Sequence, residues 1–167
     1  IVFHCTAAST LSPLTGDLIA EQIKATTGIN ATTTSQALIT ALNSLNSRKI
    51  VLLSPYEEDV NASEIIFFRH HGIDVIKERS FPPALGGRYA DATPEEWKKR
   101  VLSMRDPDAD AYFLSCTNIR CVSVIEELES ELDRPVITSN SATMWHTLRM
   151  GGFPDSVQGY GQLLRSH

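Results

Sequence analysis

Cys5 and Cys116 each close an apolar run, and each is followed directly by a threonine. The first phrase reads Ile1-Val2-Phe3-His4-Cys5-Thr6 and the second Ala111-Tyr112-Phe113-Leu114-Ser115-Cys116-Thr117. Continuous apolar runs of this kind mark buried parallel strands, and ligands of open α/β sheets bind at strand C-terminal ends. A sulfur placed there is a nucleophile or base as thiolate and an acid as thiol. Two of them facing one substrate suit proton transfer to opposite faces of a carbon. A helix N-terminus behind each cysteine is expected to lower its pKa from about 8.5. Thr6 and Thr117 set a hydroxyl beside each sulfur, and neighbouring backbone N–H groups complete a nest for a carboxylate. Thr117 or Asn118 can also cap a helix after Cys116. A single strand-end cysteine is more often a packing residue. The repetition of Cys-Thr at equivalent places favours function. Cys121 lacks that context and reads as a structural residue on the helix after Cys116. Its spacing from Cys116 fits no zinc site, and no paired histidines complete one.

The elements that carry the two thiols alternate strand and helix. Ile1–His4 reads as strand, followed by a helix through Leu18, Ile19 and Ile23 to Gly28. A second helix spans Ser35–Leu45, and Ile50–Leu53 is a buried strand. Ser54-Pro55-Tyr56-Glu57 has the form of a capping box with proline at the first helical position, opening a helix to His71 that stops at Gly72. Ile73–Ile76 is a strand, Phe81–Ala92 a loop, and Thr93-Pro94-Glu95-Glu96 a second capping box opening a helix to Met104. A turn at Asp106–Asp108 leads into the strand Ala111–Ser115. A helical stripe of Val122, Ile125, Leu128 and Leu132, a strand Pro135–Ile137 and a helix Ala142–Met150 complete the pattern. Strand–helix alternation predicts an α/β fold with parallel sheets flanked by helices.

The chain has 167 residues, 42% of them hydrophobic and 21% charged, with a formal net charge of −5. This is a globular profile long enough for a sizeable core. Without a basic stripe or a nucleic-acid motif, no nucleic-acid partner is expected. No apolar run reaches the roughly 18 residues of a membrane span, so no membrane partner is expected. Three cysteines argue against a disulfide framework and for a reducing, cytoplasmic setting. The sequons at Asn30 and Asn61 then read as chance matches. The chain opens inside an apolar strand and without methionine, so an upstream portion is expected to be absent.

Four segments together resemble the aspartate/glutamate racemase superfamily, in the branch of maleate cis-trans isomerase, arylmalonate decarboxylase and the ectoine-utilisation protein. They are His4-Cys5-Thr6-Ala7-Ala8-Ser9, Ser54-Pro55-Tyr56-Glu57-Glu58-Asp59-Val60-Asn61, Leu114-Ser115-Cys116-Thr117-Asn118-Ile119-Arg120, and Pro135 to His146. The resemblance implies two pseudo-symmetric α/β lobes with the site between them: an incomplete first lobe of residues 1–30 and 139–167, lacking its N-terminal part, and a second lobe of 31–138. It implies catalytic Cys5 and Cys116, one from each lobe. Thr6, Ala7, Tyr56, Thr117 and Asn118 would contact a small carboxylate substrate, with no cofactor or metal. A homo-oligomer is left open. The expected activity is a cofactor-independent isomerase or racemase. Ala7 stands where related enzymes often carry a carboxylate-binding serine, and the Gly86-Gly87 region lacks an asparagine of maleate isomerases; both departures count against maleate itself. The decarboxylase branch has glycine at the place of Cys5. A decarboxylase and a non-catalytic carboxylate-binding module on the same fold are the alternatives.

Other polar candidates have blander readings. His4 adjoins Cys5 but should face away from it, because strand neighbours alternate. His70 and His71 suit the negative end of a helix. Trp145 and His146 read as packing residues and Arg120 as a surface residue. Glu127, Glu129 and Glu131 read as a solvated face.

Overall fold

The computed structural model describes residues 1–167. In chain order its elements are β1 (Val2–Phe3), α1 (Thr6–Ser9), α2 (Thr15–Thr27), β2 (Thr32–Thr33), α3 (Thr34–Ser44), β3 (Lys49–Ser54), α4 (Glu58–His70) and β4 (Asp74–Ser80), then α5 (Pro94–Ser103), β5 (Ala111–Leu114), α6 (Ile125–Leu132), β6 (Val136–Thr138), α7 (Ser139–Met150) and α8 (Gln162–Ser166). All strand pairs are parallel. β1 pairs with β2, and a four-stranded sheet runs in the order β4-β3-β5-β6. The α/β class with helix-flanked parallel sheets is therefore as the alternation predicts. No helix is long and apolar enough to cross a membrane.

Period-2 alternation explains why the central strands are apolar throughout. Ile50 and Leu52 of β3, with Ala111 and Phe113 of β5, face a core closed by α3, α4 and α7. Val51 and Leu53, with Tyr112 and Leu114, face a second core closed by α5 and α6. A strand covered on both faces has no polar side to show. Both strands end at one edge of the sheet, and the residues just past them, Tyr56 and Cys116, belong to the second core.

β1 and β2 are short and pair in register, Val2 with Thr32 and Phe3 with Thr33. β2 lies just beyond residue 30, where the first lobe was expected to break. α2 stops at Gly28, whose φ of +71° lets the chain reverse without a β-carbon clash. α2 also runs tightly past the start of α3, with Gly16 at the contact: a β-carbon there would sit 2.0 Å from the Ser35 hydroxyl.

Three local expectations fail, each because a polar side chain or a turn takes another partner. Ser54 does not cap α4. Its hydroxyl accepts the Tyr56 N–H at 3.1 Å and bonds the Asn61 amide oxygen, so Pro55-Tyr56 forms a turn and α4 begins at Glu58. No helix comes directly after Cys116. Residues 117–118 form a turn, a 3-10 segment spans Val122–Val124, and α6 starts at Ile125. Cys121 thus lies in the connection, fully buried, rather than on a helix. Glu129 is not part of a solvated face: it accepts the Val136 and Gln162 N–H groups at 3.0 and 2.8 Å and clamps α8 to β6. Glu127 and Glu131 do face solvent, paired with Lys98. The Thr93 capping box forms as expected.

Candidate functional site

The chain turns out of β1 into α1 at Cys5, which is half-buried with extended backbone. Thr6, the first residue of α1, is fully buried, and its hydroxyl donates to Ser139 Oγ at 2.8 Å. Ser139 opens α7. Its Oγ also accepts the Cys116 N–H at 3.1 Å. One serine hydroxyl thus ties the Cys5-Thr6 corner to the Cys116 corner across more than a hundred residues of chain. Cys116 is 3% exposed and has φ +99°. Few residues with a β-carbon adopt such a conformation, and it persists only where neighbours over-determine it. Here the neighbours are Ser115, whose N–H donates to Leu53 O at 2.8 Å, Ser139, and Asn118, whose N–H donates to Cys116 Sγ at 3.3 Å.

Tyr56 closes the group. It is 5% exposed, its hydroxyl lies near the Cys116 sulfur and the Thr6 hydroxyl, and its ring meets Tyr89 edge-on at 5.5 Å. Burial, then the neighbouring Cys116 and Glu64, holds its phenol above the usual tyrosine range. Burial also raises the Cys116 thiol. Hydrogen bonds from Tyr56 and the Asn118 N–H act in the opposite sense, and negative charge on Glu64 or Cys5 raises it further. The expected lowering of Cys116 by a helix N-terminus does not occur, because the helix is not there. Charge on Cys5 also bears on the Cys116 thiol, as the last of the influences that raise it.

The candidate residues therefore divide. Cys5, Thr6, Tyr56 and Cys116 converge. Ala7 is partly buried against the second core. Thr117 is half-buried and Asn118 exposed; the Thr117 carbonyl accepts from Asn140 at 3.3 Å, while Asn118 contributes its backbone N–H to the sulfur. Two backbone N–H groups expected to hold a carboxylate, those of Cys116 and Asn118, are thus engaged within the protein. His4 bridges Thr34 Oγ1 at 3.1 Å and Asn140 Oδ1 at 2.9 Å. His71 meets the Pro13 carbonyl at 3.3 Å. His146 is half-buried, its pKa lowered by that burial. Arg120 is exposed. A cavity of about 460 Å³, lined in part by Asp17, Gln36, His71 and His146, lies apart from both cysteines. No group of three or more His, Cys, Asp or Glu side chains suited to a metal ion is present.

Two residues escaped the sequence reading. Ser139 stands within one of the four resembling segments, yet its bridging role depends on a partner 133 positions away. Glu64 lies fully buried behind Ser115, whose hydroxyl donates to its Oε1 at 2.6 Å. A signal for it existed: Asn61, Glu64, Phe67 and Phe68 share the buried face of α4.

The chain matches the family model described as arylmalonate decarboxylase over residues 14–164. It is 32% identical over 149 residues to arylmalonate decarboxylase of Bordetella bronchiseptica, covering 82% of this chain and 58% of that protein. It is 26% identical over 150 residues to maleate isomerase of Nocardia farcinica, covering 88% of this chain and 59% of that protein. The chain thus spans less than two thirds of the length of these curated relatives. Among solved structures, unliganded arylmalonate decarboxylase superposes with a TM-score of 0.89 at 25% identity, covering 98% of this chain and 73% of that one. The maleate isomerase of Pseudomonas putida S16 superposes with a TM-score of 0.92 at 24% identity, covering 99% and 69%.

Proposed function

Because the chain belongs to the arylmalonate decarboxylase family, we propose that it forms the two-thiol part of a cofactor-independent isomerase or racemase acting on a small carboxylic acid. The observation that carries this reading is the Ser139 hydroxyl, which bonds both Thr6, next to Cys5, and the Cys116 N–H, with Tyr56 beside Cys116. Cys116, raised by burial, stays a thiol near neutral pH and is suited to giving a proton. Cys5 is the more accessible sulfur and is suited to attack or proton removal.

Two reactions use that asymmetry. In the racemase version the Cys5 thiolate takes the α-hydrogen as a proton, the C–H electron pair moves into the carboxylate as an enediolate, and the Cys116 thiol returns a proton to the other face. In the cis-trans version the Cys5 thiolate adds to the double bond. An S–C bond forms, the π pair delocalises onto the far carboxylate, the new single bond rotates, and elimination restores thiolate and alkene. The Thr117 and Tyr56 hydroxyls are the groups assigned to the substrate carboxylate and its developing charge, whereas the fully buried Thr6 hydroxyl is committed to Ser139. A relative at 26% identity is a maleate isomerase, which supports the second version; Ala7 and the Gly86-Gly87 region favour a substrate other than maleate.

The test is a panel of amino acids, hydantoins, maleate and arylmalonates incubated in heavy water and read by mass spectrometry. Deuterium at the α-carbon or cis-to-trans conversion is expected, lost in Cys5→Ala and in Cys116→Ala with unchanged circular dichroism. Full turnover in the double variant overturns the reading. Decarboxylation is the second reading, favoured by the 32% identity to an arylmalonate decarboxylase. It is distinguished by carbon dioxide release from an arylmalonate.

A further inference from the structure

Glu64 is the one fully enclosed carboxyl group in the molecule. It projects from the middle of α4 toward the end of β5, where the Ser115 hydroxyl donates to Oε1 at 2.6 Å. Its other oxygen, Oε2, is buried without a hydrogen-bond partner. No cation pairs with it. An ionised carboxylate oxygen in that position would be desolvated and uncompensated, whereas a protonated one costs far less. Burial moves its titration up to about 8, a shift the Ser115 bond opposes only in part. The titratable groups that face Glu64 are Tyr56 and Cys116, and negative charge on Glu64 raises both. Cys5 and Cys121 each interact with Cys116. Glu78 on β4 is engaged by the Asn61 amide at 2.8 Å, one turn before Glu64. A carboxyl that stays uncharged at neutral pH could have been replaced by an apolar side chain. Here it is hydrogen-bonded instead to Ser115, the residue next to Cys116.

We propose that Glu64 is a positioning residue for Cys116: as a neutral carboxylic acid it fixes Ser115 and leaves the space behind the sulfur uncharged, and its ionisation suppresses proton delivery from that sulfur. This rests on Cys116 as the proton donor of the proposed reaction. When Cys116 gives up its proton it becomes a thiolate. A neutral Glu64 leaves that charge unopposed, whereas an ionised Glu64 repels it. Turnover therefore falls as pH rises through the Glu64 titration.

The first test needs no turnover. Iodoacetamide alkylation of Cys116 is monitored by peptide mass spectrometry between about pH 6 and 10 in the unmodified protein and in Glu64→Gln, with Cys5 as internal reference. At the alkaline end Cys116 of the variant is expected to react severalfold faster, because the negative charge that disfavours its thiolate is gone. Superimposable Cys116 profiles overturn the proposal. The second test compares pH–rate profiles: the alkaline limb of Glu64→Gln is expected to move upward with turnover near pH 7 retained, and an unmoved limb overturns the proposal. Cys116→Ala run alongside separates the two layers, since full turnover there removes the functional reading itself. Infrared spectroscopy of the unmodified protein covers a Glu64→Gln that fails to fold. A protonated carboxyl band present at pH 7 and lost with a midpoint near 8 supports the proposal, and its absence at pH 7 overturns it.

Discussion

Ser139→Ala is the substitution that most directly tests how the two cysteine corners are held together. It deletes one oxygen atom that accepts two hydrogen bonds, from Cys116 N at 3.1 Å and from Thr6 Oγ1 at 2.8 Å. The Cys116 N–H is left buried without an acceptor, which costs about 1–3 kcal/mol. Thr6 loses less, because its hydroxyl also has Tyr56 beside it. A net loss of about 2 kcal/mol lowers Tm by roughly 4–8 °C in a chain of this size, and the protein remains folded at 25 °C. The catalytic effect should be larger than the stability effect. Cys116 is held at φ +99° by bonds on three sides, and releasing one lets the backbone relax and carry the sulfur with it. Displacement of a reacting group by about 1 Å costs on the order of 10²-fold in rate. Ser141→Ala is the control. Ser141 sits two residues along the same helix start and exchanges hydrogen bonds with Thr138, so its loss costs about 1 kcal/mol through the cap without touching Cys116. Thermal melts and kcat/KM on the substrate found by the heavy-water panel complete the assay. If Ser139→Ala loses no more activity than Ser141→Ala, the hydroxyl bridge is a structural strut and does not position the sulfur.

Thiol labelling should proceed in the order Cys5, Cys116, Cys121, read by mass spectrometry of alkylated peptides: Cys5 is half-buried, Cys116 is 3% exposed, and Cys121 is enclosed with its thiol pushed up to about 12 by burial. Gly16→Ala should destabilise by about 1–3 kcal/mol in denaturant titrations, because the new methyl overlaps Ser35 Oγ, which is itself bonded to Thr33 Oγ1 at 3.0 Å. Stability should decline between about pH 4.5 and 8. Glu64 titrates near 8 in the fold and near 4.5 when unfolded, so across that window the unfolded chain has released a proton that the native state retains, and the contribution of Glu64 is full below 4.5 and lost by 8. Urea titrations at several pH values should show a shallower decline in Glu64→Gln.

The layered α/β architecture was legible because its determinants are local and periodic. Ile50–Leu53 and Ala111–Leu114 are apolar on consecutive residues, which only a strand covered on both faces requires. Thr93 to Glu96 caps α5 by side chains three positions apart. The failures fell where a polar side chain had two possible backbone partners. Ser54 could cap a helix three residues on or close a tight turn onto Tyr56. The structure takes the turn, which frees Tyr56 to swing inward onto Cys116 instead of entering the first turn of α4. Thr117 and Asn118 could begin a helix, but Asn118 gives its N–H to the sulfur of Cys116.

That last exchange changes the chemistry of the site. Had a helix started at Thr117, its N-terminus would have favoured a Cys116 thiolate, and both cysteines would have been read as interchangeable bases. The turn withdraws the dipole and leaves burial dominant, so Cys116 holds its proton while Cys5, at the more open corner, remains accessible to a reactant. The repeated Cys-Thr phrase suggested two equivalent thiols, whereas the fold differentiates them by the backbone on the C-terminal side of each: α1 after Cys5, a turn after Cys116. Proton transfer across one carbon needs an acid on one side and a base on the other at the same moment. In the proposed reaction, unequal surroundings would supply that, and the neutral carboxyl of Glu64 behind Ser115 would preserve the inequality, since it adds no charge of its own until its proton leaves.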